Sequence, residues 1–574
     1  MKAQLMSWQK IAMTVIIVLF VYFQSIGNPF SPFDDPFILE FYGTNSALSF
    51  FDVIRPGKGF YYRPLVNLSY WLDFQLWGLD PTFMHLENII VHLVNVFLVF
   101  LIASRLPSSS ENKSLPFFCA LLFGLHPINS ESVNWIAGRT DVYAGMFILL
   151  AVYCLIRAVQ EQSTRFAILA FVVAFVGMLA KETAIMFIPA ALLLATCWPV
   201  MPKDVSRYRT WRTHFLYLLI GIPTCIVFSV LKLVYGKSGG NNAVSMIFEG
   251  GTNTFIRIFQ AFGFYVKKIF LPLPLNAAIR EVDPLYAIVG IITLCLVVAT
   301  IQRSGIPGLF IALAVLFTIP ALFVAAKPIA WTPYAERYLY IPSAFAVIGC
   351  FDLSYRSLVR WNAVSWFVPV TGMIIVLASI ATIQRGMLWG DNLALVEDIV
   401  EKSPNFGVAR NEYGVLLIQD GRYEEAEKQL RIAAEQVNQD SVNRIIRLNL
   451  IGVKIHGKPL HETRRIVLSE IGNKPDGDTE LLKLLNKLDE RMLGEKISLQ
   501  RKQEIVADML ETNEILYRKT REPHYFYRSG QLALSIGNNQ NAAVYFRKAY
   551  ENAPPDAFYR EPARKLAEDL GANE

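Results

Sequence analysis

The chain has 574 residues, of which 53% are hydrophobic, 13% aromatic and only 18% charged, with a mean hydropathy of +0.35. That composition excludes a disordered or fibrous chain and argues against an ordinary soluble enzyme, in which about 25% of residues are charged. The net charge of +6 is a sum over unlike parts: residues 1–388 carry 27 basic and 18 acidic side chains, residues 389–574 carry 27 and 30, and no basic cluster implies nucleic acid.

Apolar stretches of bilayer-spanning length recur along 1–388. Spans are predicted at 9–26, 86–104, 115–130, 138–157, 165–180, 183–199, 214–234, 285–302, 306–325, 338–355 and 363–384, eleven in all. The first has Lys2 and Lys10 before its apolar core but ends in Phe, Tyr and Gln rather than a small-residue cleavage site, so it reads as an uncleaved span. With the N-terminus inside, the inner loops hold thirteen bases against four acids, and the outer segments hold fourteen of each. An odd number of spans then puts the charged tail on the non-cytosolic side. Two outer loops are long, 27–85 and 235–284, and a semi-apolar stretch at 255–271 is expected to lie in the interface. The six cysteines fall in or beside apolar runs without a CxxC pair, so neither a disulfide framework nor a zinc or redox motif is expected.

The outer segments carry most of the chemistry. SPFDDPF at 31–37 sets Asp34 and Asp35 side by side, either as a solvated turn or as a general base whose pKa its neighbour raises. Arg63 lies among aromatics in YYRPL. His85, Asn88 and His92 share one helix face and read better as satisfied core groups than as metal ligands. HPINSESVNWIAGRTD at 126–141 offers His126, Glu131, Arg139 and Asp141; AKET offers Lys181 and Glu182; TPYAERYLYIPS offers Glu336 and Arg337. One charged pair at a span end is explained by snorkelling to headgroups. Three on one face, with Arg63 and the aspartates, suggest a shared site for an anionic ligand such as a lipid phosphate.

In the tail, 407–440 and 523–556 align Gly414 with Gly530, Gly421 with Gly537, Ala426 with Ala542, Leu430 with Phe546 and Ala433 with Ala549. This pattern resembles the 34-residue tetratricopeptide repeat, and the intervening 441–520 is helical in pattern but off-consensus. Such a solenoid presents a surface for a peptide or protein.

The ordered set DD, YYRPL, HPINSESV–GRTD, KET, AERYLYIPS and then repeats resembles the transmembrane and tetratricopeptide repeat-containing protein O-mannosyltransferases and their bacterial relatives, of the GT-C class of membrane glycosyltransferases. The resemblance implies an all-α polytopic bundle of about eleven spans at 1–388 and an α-solenoid at 389–574. It implies a polyprenyl-phosphate sugar donor, an acceptor on the non-cytosolic side (protein Ser/Thr, or else a glycan or lipid) and inversion at the anomeric carbon. Asp34 or Asp35 is then the expected base, Arg63, Arg139, Lys181 and Arg337 the cations for the donor phosphate, and His126, Glu131, Glu182 and Glu336 the groups that orient them or meet the sugar. Some GT-C enzymes hold a divalent cation (Mg or Mn) at the acidic loop and others do not, so no metal ligand is assigned. The few repeats favour a bacterial protein of the inner membrane over one of the endoplasmic reticulum. The competing readings are a non-catalytic scaffold docking partners on its repeats and a flippase for lipid-linked sugar; outer-face acid–base pairs argue against both.

Overall fold

A computed structural model describes residues 2–44, 49–54, 62–198, 221, 226, 229, 251–326, 332–437, 440–472 and 478–571. Among these residues the chain is helical, without a strand; one antiparallel bridge joins Ile279 and Tyr334. It divides into two compact units, Met1–Ala409 and Arg410–Glu574.

In the first unit six helical segments are long and apolar enough to cross a membrane: Trp8–Gly27, Pro81–Ala103, Ile136–Glu161, Tyr286–Ser304, Ile306–Ala326 and Val364–Trp389. Three shorter apolar helical segments, Leu115–Leu125, Thr164–Ala180 and Glu182–Cys197, accompany them. The chain is thus a multi-pass membrane protein. Helix Tyr340–Arg360 occupies the tenth expected span but stands outside the six, because its second half carries Asp352, Arg356 and Arg360. The expected span at 214–234 lies, apart from three residues, outside the described residues. The stretch expected in the interface is a helix, Gly251–Phe270.

Local chemistry sets the helix ends. Asp80 caps Pro81–Ala103 by accepting a hydrogen bond from the Thr82 N–H at 2.8 Å, with Pro81 at the first helical position. The preceding helix, Pro64–Trp77, stops at Gly78, whose φ of +65° suits a residue without a side chain. Helices Gly251–Phe270 and Tyr286–Ser304 cross backbone to backbone: a Cβ on Gly290 would lie 2.0 Å from the Phe259 carbonyl oxygen. The main core draws on Val18, Met84, Phe123, Ile148, Phe310 and Phe345 from six different helices.

Several polar contacts join residues that the charge pattern assigns to the same side. Residues assigned to the inner side bond to one another in two cases, Lys10 Nζ to the Lys113 carbonyl (2.8 Å) and Arg356 to Asp352 (3.0 Å), and Arg105 donates to the hydroxyl of Tyr153, within the expected span 138–157 (3.1 Å). Residues assigned to outer segments likewise bond among themselves, as described below.

The first unit extends past the expected boundary at 388. Helix Asn392–Lys402 is charged, yet hydrogen bonds anchor it at both ends. Asn392 donates to the Phe30 carbonyl (2.9 Å), Lys402 to that of Leu275 (2.8 Å), and Ser403 to that of Ala278 (2.9 Å).

In the second unit, both aligned segments are helical hairpins, Gly407–Gln419 with Tyr423–Gln436 and His524–Ser535 with Asn539–Asn552. A Cβ on Gly414 would come within 2.6 Å of Leu430, and one on Gly530 within 2.7 Å of Phe546, so the aligned glycines sit where the paired helices touch. Between the hairpins, Arg464 bridges Asp489 (2.5 Å) and Asp508 (2.6 Å).

Candidate active site

The candidate site is assembled from helix ends and short turns of the first unit. Asp35 opens helix Asp35–Thr44 and is buried. One carboxylate oxygen accepts from the Ser31 N–H (2.8 Å), the other from the Ala137 N–H (3.1 Å). Burial pushes its pKa up to about 7 against the pull of those two N–H groups, and the Asp34 charge adds to the rise. Asp35 therefore latches the first loop to the turn at Ile136–Gly138. Asp34 differs: it is half-buried, and its carboxylate accepts no hydrogen bond among the described residues. Burial raises its pKa, opposed by the positive charges of Arg337 and Arg63.

Two cations, Arg63 and Arg337, act on Asp34, and a third, Lys181, neighbours both of them; each is held by an acid from another segment. Arg63, at the start of Pro64–Trp77, donates to Glu182 at 2.9 Å. Lys181, where Thr164–Ala180 ends, is 2.5 Å from Asp141. Arg337 pairs with Glu131, donates to the Thr332 hydroxyl (3.0 Å) and stacks on Trp135 and Tyr338, its guanidinium carbon 5.0 Å from each ring centre. Glu131 also accepts the Arg337 backbone N–H at 2.9 Å. The pairs fix long, flexible side chains in place while leaving a positive group on each, which is the preorganisation an anion site needs.

Three expected residues lie elsewhere. Arg139 is close enough for its charge to act on Asp35, but its donors are committed elsewhere. It is fully buried, with donors spent on Asp73 (2.5 Å), Ser69 (3.1 Å), Asn88 (3.2 Å) and the Met84 carbonyl (3.3 Å), Glu87 at 3.1 Å and the Tyr70 ring beneath. It ties three segments together and has no donor to spare for a phosphate. His126 is likewise occupied: Nε2 meets the Ile269 carbonyl (2.9 Å) and Nδ1 accepts from the Ile128 N–H (3.3 Å). Glu336 does not orient its neighbour Arg337. It pairs with Lys268 (2.5 Å) and accepts the Asn276 N–H (3.0 Å), fastening Gly251–Phe270 and the turn after it. His92, placed among core groups, meets the Tyr340 hydroxyl and the Gly124 carbonyl.

Sequence reasoning did not single out Lys268, Asp73 or Glu87. Lys268 stood inside a stretch read as interfacial, where a lysine needs no explanation. Asp73 and Glu87 were acids in an aromatic, apolar stretch, a signal that they needed a buried partner. Among the described residues no group of three or more His, Cys, Asp or Glu side chains comes together as metal ligands.

Residues 62–232 match the family model described as dolichyl-phosphate-mannose-protein mannosyltransferase. The match takes in Arg63, Glu131, Lys181 and Glu182 but neither aspartate of the first loop nor Arg337. The chain is 22% identical over 387 residues to protein O-mannosyl-transferase F38B6.6 of Caenorhabditis elegans, covering 64% of this chain and 52% of the relative. It is 34% identical over 154 residues to protein O-mannosyl-transferase TMTC1 of Mus musculus (25% of this chain, 16% of the relative), and 33% identical over 162 residues to TMTC3 of Homo sapiens (28% and 16%). The chain spans about half the length of the nematode relative and matches a smaller part of the mammalian ones. No solved structure matches it. With its helical membrane unit and a charged site at one end of the bundle, the chain is similar to the GT-C class membrane glycosyltransferases named protein O-mannosyltransferases.

Proposed function

We propose that this protein transfers a sugar from a polyprenyl-phosphate donor to an acceptor hydroxyl, that of a protein Ser or Thr, at the non-cytosolic boundary of the membrane, the inner membrane of a bacterium. The observation that carries this reading is the grouping of Arg63, Arg337 and Lys181, each held by an acid, beside a loop where Asp34 has a carboxylate that accepts no hydrogen bond among the described residues.

In this reading Asp34 accepts the proton of the acceptor hydroxyl. The oxygen attacks the anomeric carbon from the face opposite the phosphate, the bond from that carbon to the phosphate oxygen breaks, and configuration inverts. The departing lipid phosphate carries the negative charge, so it needs cations rather than a proton, and Arg63, Lys181 and Arg337 supply them. Glu131, Asp141 and Glu182 position those cations. Asp35 shapes the loop. The reading does not route the reaction through a divalent cation. The helical hairpins of the second unit are read as tetratricopeptide repeats that gather the acceptor or another protein.

The test compares Asp34→Asn and Asp35→Asn in transfer from polyprenyl-phosphate mannose to an acceptor peptide, with donor binding measured separately. Asp34→Asn is expected to lower turnover by about 10²–10⁴-fold while donor binding persists. Full turnover in that variant overturns the assignment.

A further inference from the structure

We propose that the transferred sugar is held in a buried subsite formed by Trp135, Trp389, Arg385 and Asn134, next to the phosphate cations; this rests on the transferase reading above. Trp135 carries Arg337 over its ring, with the guanidinium carbon 5.0 Å from the ring centre. Its indole also stacks on that of Trp389, with ring centres 6.4 Å apart and planes 24° from parallel. Arg385 stands one helical turn before Trp389, on the same face of Phe367–Trp389. A row of side chains therefore runs from Arg337 through the two indoles to Arg385. Trp135 lies two residues before Ala137, whose N–H holds Asp35, so the row adjoins the acidic loop.

The row is short of partners. Arg385 Nη1 is paired with Asp398 at 3.0 Å, but its Nε and Nη2 have no hydrogen-bond partner among the described residues. The same holds for the indole nitrogens of Trp135 and Trp389 and for both amide atoms of Asn134. All four residues are at most 4% exposed. Helix Ser130–Asn134 packs directly against Phe367–Trp389, so these groups belong to one packed region. Buried polar atoms in native proteins are nearly always satisfied. Five nitrogen donors and one carbonyl left open together call for a polar occupant.

The chemistry selects its class. Donors outnumber acceptors, and two flat indoles stand among them. A pyranose ring offers hydroxyl oxygens to the N–H groups, a hydroxyl proton to Asn134 Oδ1, and an apolar C–H face to the Trp389 ring, since Trp135 lies between Arg337 and Trp389. The phosphate of the same donor is served by the cations on the other side of Trp135.

The test measures the affinity of the full-length protein in detergent for two probes, polyprenyl-phosphate mannose and sugar-free polyprenyl phosphate, in wild type and in Trp389→Phe, a position that does not carry Arg337. The variant keeps an aromatic ring and removes the N–H. The expected result is a loss of about tenfold for the sugar-bearing probe, with affinity for the sugar-free probe kept within about twofold and showing the phosphate site to be intact. Equal loss on both probes overturns the subsite, because Trp389 would then shape the fold or the phosphate site. No loss on either also overturns it, in favour of ordered water at these groups. A folded wild-type protein that binds neither probe removes the transferase reading itself, and the subsite with it.

Discussion

Replacing Arg139 by Met is expected to destabilise the protein rather than to weaken one ligand. Its guanidinium is fully buried and joins Asp73, which is 4% exposed, to Ser69, Asn88 and the Met84 carbonyl. Glu87, 28% exposed, keeps water and the Tyr143 hydroxyl as partners when Arg139 goes. Asp73 keeps the Trp77 indole N–H, at 3.1 Å, as its one remaining donor among the described residues, beside the like-charged Glu87. Breaking a buried pair by removing one partner costs about 3–5 kcal/mol, because a charge is stranded. For a unit of this size that is a fall in melting temperature of about 6–10 °C, at roughly 2 °C per kcal/mol. Replacing a buried pair by apolar groups is far less costly. The double variant Arg139→Met with Asp73→Leu should therefore melt above the single Arg139→Met. Thermal unfolding in detergent, followed by tryptophan fluorescence, measures both. Arg139→Met protein that melts like wild type but no longer binds polyprenyl phosphate would refute the reasoning and return Arg139 to the phosphate site.

Asp35 makes stability depend on pH. Its folded pKa of about 7 lies above the ordinary value of 3.8, so between those values the folded protein keeps a proton that the unfolded chain has released. Stability from this group is therefore full below about pH 4 and is lost as pH rises toward 7. Melting temperatures across that window should fall more steeply in wild type than in Asp35→Asn, and identical slopes would contradict the assignment. Lys268→Met strands the buried Glu336 carboxylate with the Asn276 N–H alone, a loss of about 3–5 kcal/mol, and Lys268→Met with Glu336→Leu should recover part of it in the same melting assay. Gly530→Val forces the hairpin of the second unit apart at Phe546, at about 1–3 kcal/mol, and limited proteolysis should cut this variant within 523–556 before it cuts wild type.

The helices and the end of the bundle that carries the chemistry were legible because both are written locally. An apolar run of spanning length is a helix whatever its neighbours, and a charge beside it must sit at the run's end. The hairpin glycines were legible for a similar reason, since a crossing of two helices one turn apart in sequence leaves small residues at a fixed spacing. Partnership was not legible. Arg139, Lys181 and Arg337 look alike as cations at the ends of apolar runs, yet the first turns inward to Asp73 while the others stay at the loop. The difference lies in acids 40 to 206 residues away along the chain. Lys268 and Glu336 illustrate the same point: 68 residues apart, neither marks the other. Asp34 and Asp35 are adjacent and chemically identical, and they part because two backbone N–H groups, one of them 102 residues further along the chain, reach Asp35.

Helix Asn392–Lys402 has a geometric consequence. Eleven residues at about 1.5 Å each make a rod of roughly 16 Å. One end is tied to Phe30, four residues before Asp34, and the other to Ala278, in the turn that Glu336 fastens. The rod acts as a ruler between two loops almost 250 residues apart in the chain. Its length is quantised in helical turns, so a sequence that gained or lost one turn there would reset the gap between the loops by about 5.4 Å.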